Sequence, residues 1–251
     1  MLAAGATPPA AQNAQGIVFL LDVDNTLLDN DRFADDLDAR LEQDFGRTGR
    51  DHYWAIYARL REQLGYADYL GALEIFRTGL DDHPALLEMS PFLLEYPFAE
   101  RLYPRALEAI AHLATLGTPV ILSDGDVVFQ PRKVQRSGIW DAVAGRVSIY
   151  IHKQGALDAV QQHYPAAHYV MVDDKPQILA AMKQTLGARL TTIFVRQGHY
   201  ARASAETVVD PAPDLSIEHI GQLIDLDRSS FSSAPPQRAK TNATATTQEP
   251  T

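Results

Sequence analysis

Residues 17–29 read IVFLLDVDNTLLD, and this stretch decides the fold of the chain. It starts with five apolar residues and turns abruptly polar at Asp22. A short apolar run that ends in turn-forming residues predicts a strand buried on both faces, as in a parallel sheet. Ligands bind beyond the carboxyl ends of such strands, so Asp22 and Asp24 lie where we expect a functional site.

Four more short runs rich in β-branched residues follow later in the chain, and helical patterns separate them. Strands are predicted at 17–21, 119–122, 146–151, 169–172 and 191–195, and helices at 106–116, 127–137, 154–164 and 176–186. Strands that alternate with amphipathic helices are typical of a doubly wound α/β fold with a parallel sheet. A last helix is predicted at 217–226.

The stretch between the first two predicted strands has a different character. Apolar residues recur there at helical spacing, for example at Leu37, Leu41 and Phe45, and glycines interrupt the pattern. This predicts a small all-helical insert of three or four helices. The expected domains are a flexible leader at 1–15, an α/β core at 16–30 and 100–227, a helical cap at 31–99 and a disordered tail at 228–251, where Ser, Thr, Ala and Pro dominate.

The composition excludes several classes of protein. Cysteine is absent, so disulfide scaffolds, thiolate zinc sites and cysteine nucleophiles are excluded. The net charge of −10 argues against nucleic acid as a partner. The longest apolar run is far shorter than the ~20 residues that cross a bilayer, and residues 1–15 lack the pattern of a secretory signal. We therefore expect a cytoplasmic protein without a membrane partner.

Polar residues follow four of the predicted strands, where the strands end. They are Asp22, Asp24 and Thr26 after the first strand, Ser123, Asp124 and Gly125 after the second, His152 and Lys153 after the third, and Asp173 and Asp174 after the fourth. Taken singly, an acidic pair can cap a helix, and DVDNT can form an Asx turn. Together, in one sheet, these residues converge on one edge and predict a site there.

In order and spacing these motifs resemble those of the haloacid dehalogenase-like (HAD) hydrolase superfamily. LLDVDNTLLD matches its DxDxT motif, VILSDG its second motif, Lys153 its motif lysine, and VMVDDK its acidic pair. The resemblance runs from residue 17 to about residue 195, and the helical insert lies where the family carries its cap. It implies a Rossmann-like core and a phosphatase that uses Mg²⁺.

The resemblance also implies a role for each residue. Asp22 is the implied nucleophile, Asp24 the general acid and base, and Lys153 the cation that holds the phosphoryl oxygens. Substrate binding is implied for Thr26, Ser123, Asp124 and Gly125. The implied ligands of Mg²⁺ are Asp22, Asp173 and Asp174, with the backbone carbonyl of Asp24.

Some residues depart from the pattern of the family. Asp124 stands where many relatives have Asn, and it either adds charge beside the phosphate or points away and caps the next helix. Gln154 follows Lys153, where many members have Pro. His152 is expected on the opposite face of its strand from Lys153, as a packed or surface histidine. The predicted cap contains no lysine, which disfavours the phosphonate-cleaving chemistry that requires one.

Four functions are open at this point, and a phosphohydrolase is favoured. A 2-haloacid dehalogenase is the first rival, but relatives of that kind lack the second acid, which is Asp24 here. A phosphomutase shares the catalytic motifs. A non-catalytic binding protein would have no use for clustered acids. We expect a small-molecule phosphomonoester as the substrate, and a monomer or homodimer as the assembly.

Overall fold

A six-stranded parallel sheet forms the centre of the protein. A computed structural model describes residues 16–80, 83–203 and 208–231. The strand order in the sheet is β3-β2-β1-β4-β5-β6, and every neighbouring pair is parallel. Helices cover both faces, so the predicted doubly wound α/β fold is confirmed. The strands are β1 (Ile17–Leu21), β2 (Thr118–Asp124), β3 (Val147–Tyr150), β4 (His168–Asp173), β5 (Leu190–Val195) and β6 (Leu215–Ile217).

The helices fall into two groups along the chain. Three form the insert between β1 and α4: α1 (Asn30–Leu64), α2 (Tyr69–Phe76) and α3 (Leu86–Glu95). The remaining six accompany the sheet: α4 (Ala106–Leu116), α5 (Phe129–Arg136), α6 (Ile139–Ala142), α7 (Leu157–His163), α8 (Pro176–Leu186) and α9 (Gly198–Ala203).

Strand β1 lies in the middle of the sheet, and its alternate side chains face two cores. Phe19 and Leu21 belong to a cluster shared with α4 and the inserted helices. Val18 and Leu20 belong to a second cluster, with α7 and α8. All five residues of β1 are buried, as the apolar run predicts. The chain leaves β1 toward β2 on one side and reaches β4 on the other, which opens a crevice at the carboxyl end of β1.

Helix α1 is long but not continuous. The Asp29 side chain accepts a hydrogen bond from the backbone N–H of Arg32 at 3.0 Å, which caps its first turn. Gly46 interrupts it with φ 68° and ψ 175°, and Gly65 ends it at φ 82°. Both conformations favour glycine, because a Cβ atom crowds the backbone at positive φ. With α2 and α3, the insert has four helical segments.

The two connections between the insert and the core run side by side. The backbone N–H of Asp29 donates to the carbonyl of Arg101 at 2.7 Å, and that of Tyr103 donates to the carbonyl of Leu27 at 3.0 Å. Leu28 and Leu102 form an antiparallel bridge between these bonds. The helical insert, which we call the cap (residues 30–95), is thus joined to the core by a hydrogen-bonded pair of segments.

The end of the chain differs from the sequence-based expectation. Residues 217–226 do not form one helix, because Ile217 ends strand β6 and a 3₁₀ helix follows at Ile220–Asp225. Strand β6 has three residues, of which only Leu215 and Ile217 are apolar, too short a pattern to identify as a strand. Helices α6 and α9 were not predicted either; both are short.

Residues 228–231, which we expected to begin a disordered tail, form a 3₁₀ helix instead. Phe231 is fully buried, and its ring meets that of Phe19 edge to face, with centroids 5.0 Å apart. One aromatic residue after a polar stretch thus extends the ordered core. The predicted leader at 1–15 and the rest of the predicted tail lie outside the described residues.

A helix that spans a membrane needs about 20 predominantly apolar residues. Among the described helices, none combines the required length with sufficient apolar character. Helix α1 has 35 residues, but charged side chains are distributed along it.

We predict that Phe231 stabilises the core despite its position near the end of the chain. Replacing a buried Phe by Ala removes its packing and leaves a cavity, so Phe231→Ala should lower the free energy of unfolding by about 3–5 kcal/mol. Thermal melts should show a decrease in Tm of about 2–4 °C for each kcal/mol in a chain of this size. Leu87→Ala, at a side chain that is 81% exposed, is the control. Equal Tm values for both variants would contradict the prediction.

Candidate active site

The ends of β1, β2 and β4 and the turn after β3 bring the predicted polar residues together at one edge of the sheet, which we call the catalytic edge. Asp22 directly follows β1, Ser123 and Asp124 end β2, and Asp173 ends β4. Lys153 begins a 3₁₀ turn shortly after β3. Asp22, Ser123, Lys153 and Asp173 are buried, whereas Asp24 and Asp124 are partly exposed.

Lys153 connects two acids from adjacent strands. Its Nζ lies 2.5 Å from Asp22 Oδ1 and 2.7 Å from Asp173 Oδ2, and its side chain is fully buried. Burial alone would lower the pKa of the Lys153 ammonium, but the carboxylates of Asp173 and Asp22 outweigh burial and raise it. Lys153 is therefore a fixed positive charge between the nucleophile candidate and the motif acid.

Asp174 has a different environment from its neighbour Asp173. Both of its carboxylate oxygens are buried, and neither has a hydrogen-bond partner among the described residues. Burial, and then the negative charges of Asp173 and Asp22, raise the pKa of Asp174 to about 9. A buried carboxyl with unpaired oxygens indicates that a positive group belongs beside it.

The acids at this edge fit a hard divalent cation. Oxygens of Asp22, Asp173 and Asp174 lie within 4.8 Å of one another, and all three residues are buried. Mg²⁺ prefers oxygen ligands of this kind. The carboxylate of Asp24 lies outside this group and pairs with another cation. A role for the backbone carbonyl of Asp24 stays a prediction.

Three small residues lie near the ends of β1 and β2: Thr26, Ser123 and Gly125. Thr26 Oγ1 donates a hydrogen bond to Asp22 Oδ2 at 3.1 Å, so the hydroxyl orients the second oxygen of the nucleophile candidate. Ser123 is buried at the end of β2, where its hydroxyl lies on the same edge of the sheet. A Cβ added to Gly125 would lie 2.8 Å from the Gln130 Cβ, so a larger side chain does not fit there.

Asp124 does not cap the helix that follows, so this alternative for it is wrong. Its Oδ1 accepts the backbone N–H of Lys153 at 2.7 Å, and burial raises its pKa. Asp126, two residues before the N-cap residue Val128, binds the start of α5 instead: its Oδ1 accepts from the backbone N–H groups of Val128 and Phe129 at 2.7 and 2.6 Å. Asp124 therefore fixes the turn that presents Lys153.

The cap contacts the core close to the catalytic edge. His152 is exposed, and a Cβ at Gly65 of the cap would lie 2.5 Å from the His152 ring, so the two segments are in close contact. Arg61 of α1 hydrogen-bonds to Tyr200 of α9. These contacts hold the cap against the core beside the site, and the exposure of His152 agrees with the surface position expected for it.

Two residues of the site were missed in the sequence: Gln130 and Lys133, both on α5. Lys133 Nζ lies 2.7 Å from Asp24 Oδ1, and Gln130 Nε2 lies 3.2 Å from Asp24 Oδ2. Both side chains are buried on the same face of α5 as Phe129 and Val134. The sequence feature that could have identified them is the presence of a glutamine and a lysine on the apolar face of an amphipathic helix.

The comparisons with known sequences and structures agree on one protein family. The sequence profile of the haloacid dehalogenase-like hydrolases matches residues 18–185. A crystal structure of a protein assigned to the same group, from Burkholderia xenovorans, is similar over 87% of this chain and 100% of its own, with 55% identity and a TM-score of 0.80. No protein among those with curated descriptions matches the chain.

More distant structures share the fold. The L-2-haloacid dehalogenase of Xanthobacter autotrophicus aligns over 83% of this chain and 96% of its own, with 20% identity and a TM-score of 0.52. A HAD hydrolase of Bacillus subtilis, solved with magnesium bound, aligns over 84% and 98%, with 19% identity and a TM-score of 0.56. At these identities the likeness concerns the fold alone.

We predict that Asp174 destabilises the metal-free protein and contributes to stabilisation by Mg²⁺. Its raised pKa means that the folded state binds its proton more tightly than the unfolded state. The metal-free protein should therefore lose stability as the pH rises between about 4 and the folded pKa of about 9. In EDTA, Asp174→Asn should have a higher Tm than the wild type at about pH 8, because Asn is neutral without the proton that Asp174 has to take up when the protein folds.

The comparison with Mg²⁺ present completes the test. Saturating Mg²⁺ should raise the Tm of the wild type more than that of Asp174→Asn, because a ligand stabilises the state that binds it. Asp158→Asn, which removes an exposed acid of α7, is the matched control and should behave like the wild type. An equal gain from Mg²⁺ in all three proteins would contradict the assignment of Asp174.

Proposed function

Because the chain belongs to the haloacid dehalogenase-like hydrolases, we propose that it is a Mg²⁺-dependent phosphohydrolase of small phosphomonoesters. The observation that carries this proposal is the separation of two acids that are two residues apart in sequence. Asp22 contacts Lys153, whereas Asp24 contacts Gln130 and Lys133 on the other side of the loop. Two carboxylates with separate partners suit one nucleophile and one proton carrier.

In the first half of the proposed reaction, a carboxylate oxygen of Asp22 attacks the phosphorus atom of the substrate. The bond between phosphorus and the ester oxygen breaks, and an aspartyl phosphate forms at Asp22. Asp24 donates a proton to the departing oxygen, so that the alcohol leaves in neutral form.

In the second half, water attacks the phosphorus atom of the aspartyl phosphate. Asp24, now a carboxylate, accepts a proton from this water. The bond between phosphorus and the Asp22 oxygen breaks, which releases inorganic phosphate and restores both acids.

Fixed charges and dipoles at this edge support the transfer. Lys153 is a buried cation that contacts Asp22, the Thr26 hydroxyl donates to Asp22, and Ser123 is buried at the end of the neighbouring strand β2. We infer that Lys153 and Ser123 stabilise the phosphoryl oxygens as negative charge develops there. When bound by Asp22, Asp173 and Asp174, Mg²⁺ supplies positive charge that reduces the repulsion between these acids and the phosphate.

The burial of the site favours a small substrate. Asp22 and Ser123 are at most 2% exposed, so the cap has to move before a phosphomonoester enters. Closure afterwards excludes water from the nucleophile during the first transfer. We propose that the substrate is a small-molecule phosphomonoester and that the protein acts in the cytoplasm. Retention of Asp24 disfavours a dehalogenase, since a departing halide needs no proton.

The first experiment for this proposal is a panel of phosphomonoesters assayed with and without Mg²⁺. Sugar phosphates, nucleoside monophosphates, phosphoglycolate and 2-chloropropionate belong on the panel. We expect phosphate release that disappears in EDTA and returns with Mg²⁺, and strong loss in Asp173→Asn. Release of halide from 2-chloropropionate without phosphate from any ester would overturn the proposal.

A second prediction concerns the proton that Asp24 provides. An alkoxide is a poor leaving group, and general acid catalysis contributes about 10²–10⁴ in rate, whereas nitrophenolate leaves unaided. Asp24→Asn should therefore slow an alkyl phosphate by a factor in this range and p-nitrophenyl phosphate much less. Asp22→Asn should abolish both activities, because the nucleophile is absent.

Steady-state kinetics on the two esters check this prediction, with Asp158→Asn as the matched control. Equal slowing of both esters in Asp24→Asn leaves two explanations, which trapping of the phosphoenzyme distinguishes. If the phosphoenzyme accumulates, its hydrolysis limits both reactions. If it does not accumulate, Asp24 is not the acid.

A further inference from the structure

Helix α5 presents a buried lysine to Asp24. The Lys133 side chain is 1% exposed, and its Nζ lies 2.7 Å from Asp24 Oδ1, whereas the Asp24 side chain is 26% exposed. Lys133 Nζ also donates a hydrogen bond to Asn30 Oδ1 at 2.9 Å. The ammonium is therefore held between the loop that follows β1 and the first residue of α1.

Three aromatic rings surround the same ammonium. The ring centroids of Phe129, Phe98 and Phe33 lie 5.3, 5.8 and 5.9 Å from Lys133 Nζ. These distances fall within the range of cation–π attraction. The rings come from α5, from the segment that returns from the cap and from α1, so Lys133 has little room to change its conformation.

Gln130, nearly one helical turn before Lys133, holds the other oxygen of Asp24. Its Nε2 donates to Asp24 Oδ2 at 3.2 Å and to Ser123 Oγ at 3.0 Å. The Gln130 side chain is 3% exposed. One amide group thus connects the acid candidate with the hydroxyl at the end of β2.

These contacts fix a side chain that is otherwise mobile. A partly exposed aspartate samples several rotamers, and ordering it has an entropic cost. Burying a lysine is also unfavourable unless it is paired, and an apolar residue would fill the same space more easily. The cost of burying the Lys133 ammonium therefore has to be offset by a favourable interaction. The carboxylate that it contacts is that of Asp24.

We propose that Lys133 and Gln130 are positioning residues for Asp24. Lys133 holds Oδ1, and this turns Oδ2 toward the Gln130 and Ser123 side, where the ester oxygen of the substrate departs. The proton moves from Oδ2 to that oxygen, and Oδ2 later takes a proton from the attacking water. The inference rests on the proposed function, since it requires Asp24 to act as the acid and base.

The test is a series of phosphate esters with increasingly basic leaving groups. Lys133→Met keeps an unbranched apolar side chain that matches lysine as far as Cε but removes the ammonium. We expect kcat for alkyl esters to fall about 10- to 100-fold, because misplacement of a catalytic group by about 1 Å has effects of this size. Hydrolysis of p-nitrophenyl phosphate should change much less. A lysine that only stabilised the fold would affect all esters equally.

The second arm combines Lys133→Met with Asp24→Asn. If Lys133 acts through Asp24, its replacement should have little further effect once Asp24 is Asn, so the two losses should not add. Additive losses would mean that Lys133 does not act through Asp24, and would overturn the inference.

Lys183→Met is the matched control. Lys183 forms an ion pair with Asp214 at 2.7 Å, away from the catalytic edge. This variant should retain the leaving-group dependence of the wild type. Circular dichroism and thermal melts establish whether each variant is folded. If Lys133→Met does not fold, Gln130→Met replaces it, with the same preferential loss on alkyl esters expected.

The outcomes separate this inference from the proposed function. If no ester releases phosphate in the presence of Mg²⁺, the proposed function fails. If esters are hydrolysed but Asp24→Asn shows no preferential loss on alkyl esters and accumulates no phosphoenzyme, Asp24 is not the acid, and the inference fails while the phosphohydrolase activity stands. If Asp24→Asn shows the preferential loss but Lys133→Met, or its replacement Gln130→Met, does not, the proposed function stands and the positioning role is wrong.

Discussion

The ion pairs of Lys153 are the interactions on which the catalytic edge depends. Parallel strands bring Asp22 and Asp173 to adjacent positions, where their charges repel in a buried environment. The Lys153 ammonium lies between them and offsets that repulsion. Its position is fixed by Asp124, which binds the backbone of the turn after β3. The order of the strands therefore determines which charged side chains meet at the site.

Asp22 and Asp24 show how one loop creates two environments. Asn25 reverses the chain at φ 61°, and its Oδ1 accepts the backbone N–H groups of Asn30 and Asp31. Asp22 consequently remains with the sheet, beside Lys153, while Asp24 faces α5. Acids two residues apart in a regular strand would share a face and repel each other. The turn after β1 separates them, and this separation supports different chemical roles.

The cap and the surroundings of Asp24 share side chains. Phe33 belongs to the first turn of α1, and Phe98 to the segment that leads from the cap back to the core; both rings lie near Lys133. Phe33 also contacts Tyr69 of α2, with ring centroids 5.2 Å apart. The position of the cap and the orientation of Asp24 thus depend on one aromatic cluster. A displacement of the cap would therefore also change the packing around Asp24.

The sequence by itself determined the elements that repeat a strong local pattern. The run at 17–21, the four later strands, the helical insert and the acids at the strand ends follow from periodicity and turn chemistry, which act between near neighbours. Strand β6, the ordered Phe231 and the roles of Lys133 and Gln130 depended on partners far away in the chain. A three-residue strand, a lone aromatic and a buried lysine carry weak local signals. Only the tertiary structure, by bringing β5, Phe19 and Asp24 to them, decided what these residues do.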